Sequence, residues 1–150
     1  MSIVPFKTRA QRAIFEKIQR YLQQLFGESV EQPTGEARCL LAKGSARAEV
    51  TVEPWGEDEA AITVRSVVIR GADLCPELLS FLLRENHQFR LGGFAINADG
   101  AIVLQHAIVG STCDKKELDA SVSAVLLIAD EYDDKIRAKW GGVRAIDPLG

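Results

Sequence analysis

At 150 residues, with 47% hydrophobic and 26% charged residues, the chain has the size and composition of one ordinary globular domain. A formal net charge of −3 argues against a general nucleic-acid binder. The locally basic first segment (Lys7, Arg9, Arg12, Lys17, Arg20) has no aromatic platform interleaved with it.

Three widely separated cysteines, Cys39, Cys75 and Cys113, form no CxxC and are odd in number, so neither a disulfide framework nor a zinc site is expected. The first residues lack the apolar core of a signal peptide, and no run approaches the ~18 apolar residues that span a bilayer. A single domain over residues 1–150, frayed at about 1–6 and 142–150 and residing in the cytoplasm without a membrane partner, is the expectation.

In chain order, Thr8 is placed to cap a helix through Phe26, with Ile14, Ile18, Leu22 and Leu25 at helical spacing and Gly27 at its end. Three strands follow: Arg38 to Ala42, Arg47 to Trp55 and Ala60 to Ile69. The middle one alternates Ala48, Val50 and Val52 with Arg47, Glu49, Thr51 and Glu53, the pattern of a half-solvated antiparallel strand. Asp73 or Cys75 then caps a leucine-crowded second helix with Pro76 in its first turn. A hairpin is read from Phe89 to Ile96 and Ala101 to Val109, turning at Asp99-Gly100. Ser111 or Asp114 opens a final helix to about Trp140, and the tail with Pro148 is expected to fray or drape. The order α-β-β-β-α-β-β-α indicates an α+β domain with an antiparallel sheet.

His106 lies among Ile102, Leu104 and Ile108, as a satisfied histidine does, and His87 lies in a connection; neither has metal-ligand spacing. Cys113 precedes a helix, where amide groups and Lys115 and Lys116 can activate a thiol, but Asp114 opposes that. Asp130, Glu131, Asp133 and Asp134 are read as a solvated face, with Glu131–Lys135 and Asp133–Arg137 as i,i+4 pairs. Gly92-Gly93 opens no helix and marks a bulge or a close approach by another chain.

The hairpin carries apolar residues on both faces of each strand, unlike the alternating strand before it. A second chain covering that surplus, together with the crowded second helix, is one explanation; an internal cover is the other. Trp55, Leu79, Leu83, Phe94, Ile96 and Val103 are therefore the candidate peptide-binding or dimer-forming residues, with Trp55 equally readable as an edge-capping core residue.

The run Leu78-Leu79-Ser80-Phe81-Leu82-Leu83-Arg84-Glu85-Asn86 leads into Phe89-Arg90-Leu91-Gly92-Gly93-Phe94-Ala95-Ile96-Asn97-Ala98-Asp99-Gly100, and a capped helix from Asp114 to Trp140 completes it. This pattern resembles the YbjN family, which shares the type III secretion chaperone-like fold. In residue pattern the resemblance spans about Leu78 to Asp134, and in element order the whole chain. It implies a two-layer sandwich, frequent homodimers, extended client segments held along apolar patches, and no catalytic residues or cofactor. The function expected is a non-enzymatic chaperone or adaptor acting as a homodimer. The alternatives are a regulatory or structural subunit of a fixed complex, and a small-molecule binder or thiol enzyme using Cys113 with His106.

Overall fold

In the computed structural model, which describes residues 3–147, the first helix, α1 (Arg9–Phe26), opens on a reciprocal cap. Thr8 Oγ1 accepts the Gln11 amide, and the Gln11 side chain accepts the Thr8 amide in return. Ile14, Phe15, Ile18 and Leu22 form the buried stripe of α1. Gly27, at φ 60°, ends it and begins a short 3₁₀ turn, Gly27–Ser29.

The strands β1 (Arg38–Lys43), β2 (Ala46–Pro54) and β3 (Ala60–Arg70) form a meander. Then come α2 (Pro76–Asn86), β4 (Gly93–Ile96), β5 (Ile102–Val109), α3 (Lys115–Trp140) and β6 (Val143–Arg144). All pairings are antiparallel, in the order β1-β2-β3-β5-β4, with β6 pairing the end of β3. The protein is thus α+β with an antiparallel sheet, as its strand runs and intervening helices imply.

Register separates the two sheet faces. Cys39, Val50, Val64, Ile62, Leu104 and Phe94 face the helices, where Ile18, Leu22, Leu118, Val122 and Val125 meet them in one buried core. The other face carries cross-strand rows without a helix over them. One row runs Ala42–Arg47 and, from the next strand pair, Val67–Val103–Ala95; its neighbour runs Leu40–Glu49–Arg65–Gln105–Gly93.

Three expectations need correction. The first hairpin strand is only four residues long, because Gly92 turns the chain at φ 83° and its N–H donates to His106 Nδ1. Phe89, read as part of that strand, instead joins Phe94 and Tyr132 in an edge-to-face aromatic cluster with centroids 5.3–5.6 Å apart. The ends are also better held than expected. Val4 is buried, its carbonyl accepting the Ala37 amide, and Val143–Arg144 pair with Ile69 and Arg70 in place of a frayed tail. Pro148 and its neighbours at 149–150, like residues 1–2, lie outside the described residues.

Both outer strands have their free edge blunted. Glu31 exchanges two backbone bonds with Leu40 of β1. On β4 the Asn86 carboxamide accepts the Phe94 N–H (2.6 Å) and donates to the Phe94 carbonyl (3.3 Å), standing in for a neighbouring strand.

Candidate functional site

On α2, Leu78 and Leu82 turn into the core, and Phe81 packs on Trp140 with ring centroids 5.2 Å apart. Leu79 and Leu83, also four apart, therefore share a different side of the helix and are 39% and 71% exposed. Ile96, at the end of edge strand β4, is 40% exposed. α2 packs beside β4 through the Asn86–Phe94 bonds. Three of the residues singled out in the sequence thus stand open on adjoining elements.

The other three do not join them. Phe94 is buried in the aromatic cluster, because its register partner Leu104 places it on the helix side. Val103 faces away from the helices but is 1% exposed, set in register between Val67 and Ala95. Neither offers a surface in this chain. Trp55 is exposed, but it follows Pro54 at the end of the sheet where Pro54 pairs Ala60. Ile96 lies at the opposite end, where it pairs Ile102 and, through it, aligns with Ile69.

The apolar surplus of the hairpin is accordingly mostly internal. Ile102, Leu104 and Ile108 fill the helix side, and the far side carries the small Ala95 and Ala107 beside Val103 and Val109.

A second surface escaped the sequence reading. The helix-free sheet face is hollowed into a groove of ≈ 430 Å³ whose lining includes Leu40, Ala42, Arg47, Arg65, Val67 and Arg70. The signal was present in the polar positions of β2 and β3, which alternation marks as solvated without showing that they converge.

The chemistry weighed in the sequence meets poor conditions. Cys113 is buried, and its thiol is pushed up to about 11 by that burial and then by Glu117, against the opposing charge of Lys17. His106 Nδ1 accepts a backbone N–H. Among the described residues no group of three or more His, Cys, Asp or Glu side chains could hold a metal ion. Glu131 pairs with Lys135 at 3.2 Å, but Asp133 does not pair with Arg137. Arg137 reaches Asp134 and Asp147, while Asp133 is buried against Ser45. Among the described residues no helix is long and apolar enough to cross a membrane.

A helix-backed antiparallel sheet with an open leucine-bearing edge and a grooved far face is a binding scaffold in class. The family model described as T3SS (YopN, CesT) and YbjN peptide-binding chaperone 1 matches residues 13–148, and the chain belongs to that family. By family it is a peptide-binding chaperone. No curated protein matches it.

Among solved structures it is similar to one from the ExsC–ExsE complex, at 10% identity and a TM-score of 0.62, covering 84% of this chain and 95% of that one. A chain of the HopA1–SchA chaperone–effector complex matches at 13% identity and TM-score 0.57, covering 89% and 99%. A chain of the heterodimeric ExoU–SpcU complex from the type III secretion system of Pseudomonas aeruginosa matches at 16% and 0.57, covering 81% and 99%. At these identities the likeness establishes the fold.

Proposed function

We propose that this protein is a non-enzymatic chaperone that works in the cytoplasm as a homodimer and holds extended segments of a client polypeptide. The exposure of Leu79 and Leu83 on one side of α2, beside Ile96 on the β4 edge, carries the dimer part of this reading. Covering a fully exposed leucine gains roughly 1.5–3 kcal/mol, so Leu83 gains most of that and Leu79 a smaller part, and two copies meeting edge to edge cover the same patch on both. The family supports client binding. The buried, weakly acidic Cys113 gives a thiol enzyme little support. The three cysteines are free, which suits a reducing compartment.

Light scattering tests the dimer directly. The expected mass is near twice 16.4 kDa, and Leu83→Asp should return it to 16.4 kDa with the circular dichroism unchanged. A wild-type protein that stays monomeric at every concentration overturns the homodimer.

A further inference from the structure

We propose that the helix-free face of the sheet is a client-binding track that selects acidic, extended segments. This rests on the chaperone reading and adds to it the chemical class of the client.

Leu40, Ala42 and Val67 line the groove together with Arg47, Arg65 and Arg70. Register puts Arg65 beside Glu49 across β2 and β3, with Ala42 beside Arg47 across β1 and β2. A β-bulge between Val67 and Ile69 shifts the alternation by one, so Ile69 stays in the core and Arg70 turns out to line the same groove as Arg65 and Val67.

None of these three arginines has a carboxylate partner among the described residues. Arg65 donates to the neutral Gln105 Oε1 at 3.0 Å. Glu49, the acid nearest in register, is engaged by Arg38 at 3.5 Å, and Arg38 also holds Glu36. Glu31 lines the groove as well and sets one carboxylate against the three arginines. Glu53 and Asp99 line the adjoining hollow, which shares Arg65 and Arg70 with the groove, so Arg47 is the arginine of the three that stands clear of those acids.

Arginines without carboxylate partners beside apolar residues complement an extended segment whose groove-facing positions, i, i+2 and i+4, include both carboxylates and apolar side chains. An extended chain presents alternate side chains to one face at a spacing of about 6.6 Å, and arginine binds carboxylates in a planar, two-point fashion. A basic segment would place its charges against the same arginines and be repelled.

The test uses three fluorescent peptides that share leucines at some groove-facing positions and differ only in carrying Glu, Gln or Lys at the remaining positions of that same face. Binding to the full-length protein is read by anisotropy. The expected order is Glu, then Gln, then Lys, with the ends separated on the order of tenfold and the gap narrowing as salt is raised. The double variant Arg47→Glu, Arg70→Glu changes two exposed side chains and should reverse the order, a result that loss of folding cannot produce. Equal binding of all three peptides, or a variant that keeps the wild-type order, overturns charge selection and leaves the chaperone reading intact. Failure of all three to bind overturns both.

Discussion

Ser45 Oγ lies 2.5 Å from Oδ2 of the buried Asp133, joining the β1–β2 turn to the middle of α3. The same hydroxyl is 2.5 Å from Asp130 Oδ1, which also accepts the Ser45 amide at 2.8 Å. A hydroxyl has one proton, so both contacts are hydrogen bonds only when one carboxyl keeps its own. Burial, with the charges of Asp134 and Asp130, pushes the Asp133 carboxyl up, although its bond to Ser45 pulls the other way. The bonds from Ser45 hold Asp130 low. Of the two carboxyls Asp133 is thus the more readily protonated, and when it carries the proton it can donate to Ser45 while Ser45 donates to Asp130.

Stability should depend on pH through this chain. Because the folded Asp133 binds its proton more tightly than the unfolded one, its contribution is fully present below the unfolded value of about 3.9 and is lost as pH rises through the folded value. Asp133→Asn keeps a donor toward Ser45 and removes the titration. Urea unfolding across a pH series should show the wild type losing ground to Asp133→Asn as pH rises above about 4. Parallel curves would show that Asp133 titrates normally.

Gln11 is fully buried and uses its whole carboxamide. Its oxygen accepts the Lys7 and Thr8 amides at 2.7 and 3.4 Å, and its nitrogen donates to the carbonyls of Pro5 and Val52 at 2.9 and 2.8 Å. Gln11→Glu turns the two donors into an acceptor facing two carbonyls. A loss of about 2–4 kcal/mol in urea unfolding is expected, with faster proteolysis before Arg9. A loss below about 1 kcal/mol contradicts the clamp.

Gly110 is a packing constraint that its sequence context does not reveal. A Cβ there would lie 2.7 Å from the Ala60 carbonyl oxygen and 2.9 Å from each of the two methyl carbons of Ile14, where α1 crosses the sheet. Backbone on one side and a buried side chain on the other leave little room to yield. Gly110→Ala should cost about 1–3 kcal/mol by thermal or urea unfolding, and a neutral result would show that α1 can shift.

The cysteines should separate by reactivity. Cys39 and Cys113 are buried and both thiols are pushed up to about 11, chiefly by burial, whereas Cys75 is partly exposed at the start of α2. Iodoacetamide on the native protein near pH 8 should modify Cys75 first, as read by peptide mass mapping. Rapid labelling of Cys113 under native conditions would revive the thiol-enzyme reading.

These details mark where sequence patterning stops. The helix stripes of α1 and α3 and the alternation of β2 and β3 are legible because burial imposes a period on many residues. β6 is two residues long and has no period to read, and the Val4 and Gln11 contacts depend on partners far along the chain. The hairpin misled because Phe89 was given the strand's parity, when Gly92 breaks the strand and sends Phe89 to the aromatic cluster. Leu79, Leu83 and Ile96 were readable as surplus apolar residues, whereas the convergence of Arg47, Arg65 and Arg70 required the strand order and the bulge in β3.

Native mass spectrometry of the protein mixed with a reduced, alkylated and therefore permanently unfolded polypeptide tests the central claim most directly. The expected result is a complex of two copies of this chain with the unfolded polypeptide, and none with the same polypeptide in its folded, oxidised form. Absence of any complex at concentrations where this chain is fully folded, or equal capture of the folded and unfolded forms, would contradict a chaperone that holds extended chains.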